Sequence, residues 1–354
     1  MSEHPWALPF KLPARDSVRR IRKLGGSEVQ QTHSRQPMAG FESRFTDIVD
    51  YIVRITDEIW QERAVGYIRD TYDAECTIYS HYGVTRTAEA VVRSTLSGIA
   101  AAPDGDTHHV NVAWSGDESQ GFYTAHLGFG RATNVVPSLY GPATGRAYVM
   151  RFAADCVSRA NKIHTEWLVR DNGAMVRQVG LDPDQAARIV AATPVAEPYT
   201  ITAPAALAPR TAQPRTPVED WAHSLFDSIW NARRFDRVSQ FYADDAAVHS
   251  GGGRVAQGVP AIAGLAIEIL ASIPDGTMQI EHVCWSDESD GVIVAVRWVL
   301  VGSSGHGGIL GRQIPVGRPV YMMGSSHFRL AGPRIIEEWT VFDEIAVMAL
   351  AYRS

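Results

Sequence analysis

The 354-residue chain has only three cysteines, Cys76, Cys156 and Cys284, far apart and without a CxxC pair. That spacing excludes a disulfide framework and a cysteine-built zinc site, and leaves the thiols as small core residues. No run approaches the ~18–20 uninterrupted apolar residues that a bilayer span needs. The N-terminus lacks the charged-then-apolar order of a secretory signal. There is no excess of positive charge either: 33 basic against 39 acidic residues leave a formal charge of −6, which argues against nucleic acid as a partner. No glycine-rich phosphate or dinucleotide fingerprint opens a helix. The twelve histidines show no ligand spacing on a helix, so zinc and non-haem iron are not expected. What remains is a chain of ordinary globular composition, 45% apolar and 20% charged, expected to be cytoplasmic, without nucleic-acid or membrane partners.

The chain does contain self-similarity. Residues 59–80, IWQERAVGYIRDTYDAECTIYS, align without a gap on 229–250, IWNARRFDRVSQFYADDAAVHS, at an offset of 170. Pro103-Asp104-Gly105 and Trp114-Ser115 recur as Pro274-Asp275-Gly276 and Trp285-Ser286 at 171. Glu166-Trp167 and Asp171 recur as Glu338-Trp339 and Asp343 at 172. A drift of two over more than 100 residues marks two copies of one unit. The expected organisation is an N-terminal arm (1–40), a first domain (41–182), a Pro/Ala-rich, semi-extended linker (183–216) and a second domain (217–354). Within each copy helical spacing comes first and strand-like alternation follows the Pro-Asp-Gly turn, the α+β order of a curved sheet wrapped on helices.

This order, with FYADDAAVHSGGG (241–253), VAVRWVLVGSSGHGGILGRQIPVGRPV (294–320) and HFRLAGPRIIEEWTVFDEIAVMAL (327–350), resembles the SnoaL-like polyketide cyclases of the NTF2-like, cystatin-like superfamily. TGRAYVMRF (144–152) and KIHTEWLVRDNGAMVRQVG (162–180) carry the resemblance in the first copy. It implies two cone-shaped α+β domains, each with a pocket between the concave sheet face and the helices. It also implies pairing of the two domains through their sheets, an intramolecular pseudo-dimer, with a further homodimer open. An acidic residue at the positions of Asp171 and Asp343 would act as acid and base, with no metal or organic cofactor. The same superfamily also holds non-catalytic binders.

Each candidate has a functional and a structural reading. Asp343 and Asp171 follow Trp339 and Trp167 by four residues, which places each pair on one strand face; desolvation by the ring would raise the carboxyl pKa, whereas a strand-end Asp can simply accept turn N–H groups. His249, aligned with Tyr79 and close to His81 of the first copy, can polarise a carbonyl or be satisfied by backbone. Arg297 can hold an oxyanion or enter an ion pair; its counterpart is His126 or Leu127, depending on where a one-residue gap falls. His306 lies in a loop expected at the mouth, and His327 aligns with Asp155. Trp114, Trp167, Trp285 and Trp339 are framework rings that can also wall a pocket for a ring system. The expected activity is proton transfer next to the carbonyl of a small, largely apolar compound, giving cyclisation, isomerisation or dehydration. The alternative is a small-molecule binding protein in which no bond changes.

Overall fold

The computed structural model describes residues 6–13, 20–21, 29–30, 36–201 and 214–353. The strands are β1 (Tyr72–Ser80), β2 (Gly83–Arg86), β3 (Asp106–Asp117), β4 (Gly121–Thr133), β5 (Ala147–Arg159) and β6 (Lys162–Arg170) in the first half. The second half has β7 (Tyr242–Ser250), β8 (Arg254–Gln257), β9 (Thr277–Glu288), β10 (Gly291–Ser303), β11 (Pro319–Leu330) and β12 (Ile335–Phe342). They form one 12-stranded sheet in the order β8-β7-β12-β11-β10-β9-β3-β4-β5-β6-β1-β2. The order reads the same from both ends, with β9 meeting β3 where Trp285 faces Trp114. All neighbours are antiparallel except β7 with β12 and β1 with β6, which are parallel. The strands after each Pro-Asp-Gly turn form an antiparallel meander, while the first strand of each half is separated from them by a helix and returns beside the last one.

Helix α1 (Ile48–Thr56) is started by Asp47, whose side chain accepts the Asp50 N–H, and it buries Ile48, Val49, Ile52, Val53 and Ile55. It widens into a π-helical turn, Asp57–Gln61. Its counterpart α2 (Pro217–Phe226) opens with a Thr216/Glu219 capping box and Pro217 in the first turn, and also widens, at Asp227–Asn231. Both starts follow the preference for a hydroxyl or carboxylate acceptor at a helix N-cap. Further helices Ala88–Ala101 and Val259–Ser272 cross the two concave sheet faces. The Pro/Ala-rich stretch expected to be extended instead begins with a helix, Pro183–Ala192, capped by Asp182; it packs on the last helix, Glu344–Arg353.

Three clusters form the interior. One lies under α1 and contains Cys76, Ile78, Val112, Trp114, Phe122 and Cys156. A larger one fills the concave side of the second half around Val294, Val296, Trp298, Met322, Phe328 and Phe342. The third draws on both halves, with Ala113, Tyr123, Ala125, Leu127 and Ala153 from one and Ile293, Ala295, Val299, Tyr321, Met323 and Val341 from the other. The convex faces of the two half-sheets therefore pack on each other. On β10 the even-numbered residues 292–300 face the helices and the odd-numbered residues 293–299 face the other half, as the two-residue period of a strand requires.

Candidate functional site

The two concave faces differ in what fills them. In the second half Trp298 lies over Gly324, directly opposite it on the neighbouring strand; a Cβ at Gly324 would come within 2.2 Å of the indole. The indole Nε1–H donates to Ser326 (2.9 Å), Ser326 meets Thr340 (2.6 Å) and Thr340 donates to Glu338 (2.5 Å). Ile309, Leu310 and Ile314 from the glycine-rich loop seal the rest. In the first half the ring comes from the other strand: Phe152 lies over Gly128, where a Cβ would meet it at 2.4 Å. Ala154 and Leu168 stand where the second half has Ser326 and Thr340. Phe152, Ala154 and Leu168 are half-buried, whereas Gly324, Ser326 and Thr340 are buried. The corresponding loop of the first half leaves Val135 and Val136 exposed. The first cone is thus the more open of the two.

A chain of three titratable side chains runs into that first cone. Asp57, in the π turn after α1, has Oδ1 2.9 Å from Nε2 of His109. Nδ1 of His109 lies 2.9 Å from Nε2 of His126, with the rings stacked at 5.0 Å. His126 is 2% exposed and meets the edge of Phe152 at 5.4 Å. Asp57 accepts a hydrogen bond from Nε2–H of His109; His109 then accepts at Nδ1 from Nε2–H of His126, which leaves Nδ1 of His126 as the free base. Burial pushes the His126 pKa well down, and the neighbouring His109 adds to this. At the matching places the second half has Asp227, Ile280 and Val296. Asp227 accepts from Asn231 instead, at 3.1 Å, and Ile280 and Val296 join the apolar core.

A bulge settles the alignment of Arg297. Pairing of β3 with β4 skips Val110, and pairing of β9 with β10 skips Glu281. Beyond the bulges Asn111 faces Leu127 and His282 faces Arg297. Leu127 is therefore the counterpart of Arg297, and His126 that of Val296, on the opposite face.

Most other candidates lie between the half-sheets. Arg297 is buried there, its guanidinium 3.7 Å from the Trp167 ring centre; it donates through Nε to the Tyr123 hydroxyl (3.0 Å) and through Nη1 to Glu281. Tyr123 donates to Asp155 at 2.5 Å, and burial raises the Asp155 pKa to about 6. The His282 ring lies on Tyr123, with Nε2 3.0 Å from Ser115. Tyr79 stacks on Trp167, and His249 on Trp339. His81 accepts the Met323 N–H at 3.0 Å, beside Tyr321, and burial pulls its pKa down to about 3. His327 pairs through Nδ1 with Asn111 at 2.6 Å. Trp114 belongs to the core under α1, Trp285 is half-buried at the seam and His306 is exposed on its loop. His164 is half exposed, 3.5 Å from Asp73.

Asp171 and Asp343 share a strand face with Trp167 and Trp339, as their spacing predicts, but that face is the one between the halves. The expectation that they line the pockets is corrected accordingly. Each caps the helix that follows and reaches across to the other half. Asp171 accepts from Ala174 N, and from Gly252 N (2.7 Å) and Gly253 N (3.3 Å) of the β7–β8 turn. Asp343 accepts from Ala346 N, Tyr82 (2.7 Å) at the β1–β2 turn and Asn172 (2.5 Å). Burial raises the pKa of both, that of Asp343 to about 6.

Sequence reasoning singled out His126 and missed His109 and Asp57. The signal was a comparison of the two copies: Asp57 recurs as Asp227, while the two histidines fall on isoleucine and valine. Among the described residues no group of three or more His, Cys, Asp or Glu side chains is placed to hold a metal ion, and no helix is long and apolar enough to cross a membrane.

Residues 222–349 match the family described as SnoaL-like polyketide cyclase. Comparison with curated proteins finds no match. Among solved structures, wild-type IdmH from Streptomyces antibioticus is similar at 24% identity, covering 38% of this chain and 96% of its own, with a TM-score of 0.31. A SnoaL-like polyketide cyclase from Agrobacterium tumefaciens C58 is similar at 21% identity over 37% of this chain and 94% of its own, at 0.30. TsrD from Streptomyces laurentii is similar at 15% identity over 37% and 92%, at 0.33.

Proposed function

We propose that the protein is a cofactor-independent acid/base enzyme acting on a small, largely apolar carbonyl compound, and that its working site is the first cone. The observation that carries this reading is the Asp57–His109–His126 chain beside half-buried Phe152, Ala154 and Leu168, set against the sealed interior of the second half.

Nδ1 of His126 takes a proton from the carbon next to the substrate carbonyl. A cation on this buried ring is disfavoured by desolvation. Its Nε2 proton passes to Nδ1 of His109, whose imidazolium lies against the Asp57 carboxylate. The charge thus moves outward, from a side chain 2% exposed to one paired with a partner whose side chain is 29% exposed. Return of the proton to a different atom of the substrate gives isomerisation; return to a leaving hydroxyl gives dehydration; attack of the carbanion on a second carbonyl gives cyclisation. Such positioned proton transfer contributes roughly 10²–10⁴-fold in rate.

In this reading the two halves are fused domains that form an intramolecular pair through their convex faces, and the second supports the first. The structural ties of Asp171 and Asp343 favour that division of labour. Binding is tested by titrating the full chain with a panel of apolar ketones while following assigned imidazole NMR signals. Shifts at His126 and His109 that leave His327 unmoved support the site. Ketones that bind without shifting either ring overturn it.

A further inference from the structure

Residues 6–13 read Trp-Ala-Leu-Pro-Phe-Lys-Leu-Pro, with a large apolar side chain at every second position. Trp6, Leu8, Phe10 and Leu12 pack against the core of the second half, while Ala7, Pro9 and Lys11 are exposed. This alternation turns every second side chain to the core along a backbone that closes a tight turn from Leu8 N–H to Trp6 O (2.9 Å) and bends at Pro9 and Phe10. Pro9 and Pro13 have no N–H to give to a strand ladder, so side chains hold the segment in place. The Phe10 ring meets Trp221 of α2 edge-on at 5.3 Å. Trp221 in turn meets Phe328 at 5.9 Å, and Phe328 meets Phe226 at 6.3 Å. The segment therefore reaches the centre of the second half's core through one chain of rings.

The first half covers the same place differently. There Phe41 meets Tyr51 of α1 edge-on at 4.9 Å and reaches Phe122 at 5.9 Å. Phe41 belongs to the stretch that leads directly into α1, so its cover is local. Phe10 is more than 200 residues from α2 along the chain. The second half is thus covered by a segment that its own sequence does not supply. Residues 6–13 pair with no strand of the 12-stranded sheet, so this cover can be replaced without unfolding it.

We propose that the surface over α2, centred on Trp221, is a recognition groove for a peptide with apolar side chains at alternate positions, and that residues 6–13 of the same chain occupy it at rest. The groove reads side chains i, i+2, i+4 and i+6 and leaves the residues between them in solvent. It is independent of the chemistry assigned to the first cone.

The test is a fluorophore-labelled peptide of residues 1–13, titrated into the full chain and into full-length chains whose own segment is weakened. The variants are Leu8→Asp with Phe10→Asp, and the milder Phe10→Ala. Tethered competition makes the groove of the wild-type chain the harder one to enter. The expected result is one peptide per chain, bound at least tenfold more tightly by the double variant than by wild type, and at least threefold more tightly by Phe10→Ala. Adding Trp221→Ala to the double variant should cost at least tenfold, and a peptide carrying the two aspartates should not bind. The proposal is overturned if chains with a wild-type circular dichroism spectrum bind the peptide no better than wild type does, or if Trp221→Ala leaves the affinity unchanged.

Discussion

Tyr82, at the β1–β2 turn of the first half, donates its hydroxyl hydrogen to Oδ2 of Asp343, the residue that starts the last helix of the second half, at 2.7 Å. Asp171 makes the reciprocal crossing to Gly252 and Gly253. A pair of aspartates that the strand period places beside tryptophans thus ties the halves together, and the two crossings lie side by side, since Asn172 next to Asp171 donates to Asp343.

Asp343 should make stability depend on pH. Burial raises its folded pKa from the ordinary 3.8 to about 6, opposed by the Tyr82 and Asn172 hydrogen bonds and reinforced by nearby Asp171. A carboxyl with a raised folded pKa binds more protons folded than unfolded, so its contribution is fully present below pH 3.8 and is lost as pH rises through 6. Asp343→Asn retains an acceptor for the helix N-terminus and removes the charge. Between pH 4 and 6.5 its urea-unfolding free energy should fall less than that of wild type, by on the order of 1–3 kcal/mol. Parallel curves would contradict the assignment.

Arg297 should be costly to remove alone. Arg297→Leu, the residue found at the matching position of the first half, leaves Asp155 and Glu281 buried without their cation. The expected loss is about 3–5 kcal/mol. Adding Glu281→Val, again the first half's residue, should recover a substantial part of it, because one uncompensated carboxylate is gone. Denaturant unfolding of the single and double variants measures both.

Gly128 and Gly324 should resist any side chain. A Cβ at Gly128 would meet the Phe152 ring at 2.4 Å, and one at Gly324 the Trp298 ring at 2.2 Å. Overpacking of this kind costs roughly 1–3 kcal/mol. Gly128→Ala should regain stability when combined with Phe152→Leu, and Gly324→Ala should not when combined with Trp298→Leu, because Trp298 is also held by Ser326. Melting temperatures of the four variants decide this.

The order of elements and the pairing of Asp343 with Trp339 on one face were legible in the sequence, because they depend on local spacing. Which face that would be was not. A strand in a sheet buried on both sides alternates between two apolar environments, and parity alone does not distinguish the cone from the contact between the halves. Arg297, open between an oxyanion and an ion pair, and His249 and His327 lie between the halves, a place that parity does not tell from the cone. The bulges at Val110 and Glu281 leave no mark in composition, yet they decide that Leu127 matches Arg297. Among twelve histidines without ligand spacing nothing marks His109; its partner Asp57 lies 52 residues earlier, at a π turn that spacing did not reveal.

The central claim is that the proton acceptor is His126 in the first cone and that Asp343 is structural. The most direct measurement is deuterium uptake next to the carbonyl of a bound apolar ketone in D2O, compared between wild type, His126→Ala and Asp343→Asn. The account predicts that His126→Ala lowers the rate by about 10²–10⁴-fold while Asp343→Asn, at a pH and temperature where it remains folded, stays within severalfold of wild type. Exchange that survives His126→Ala and disappears in folded Asp343→Asn would contradict it.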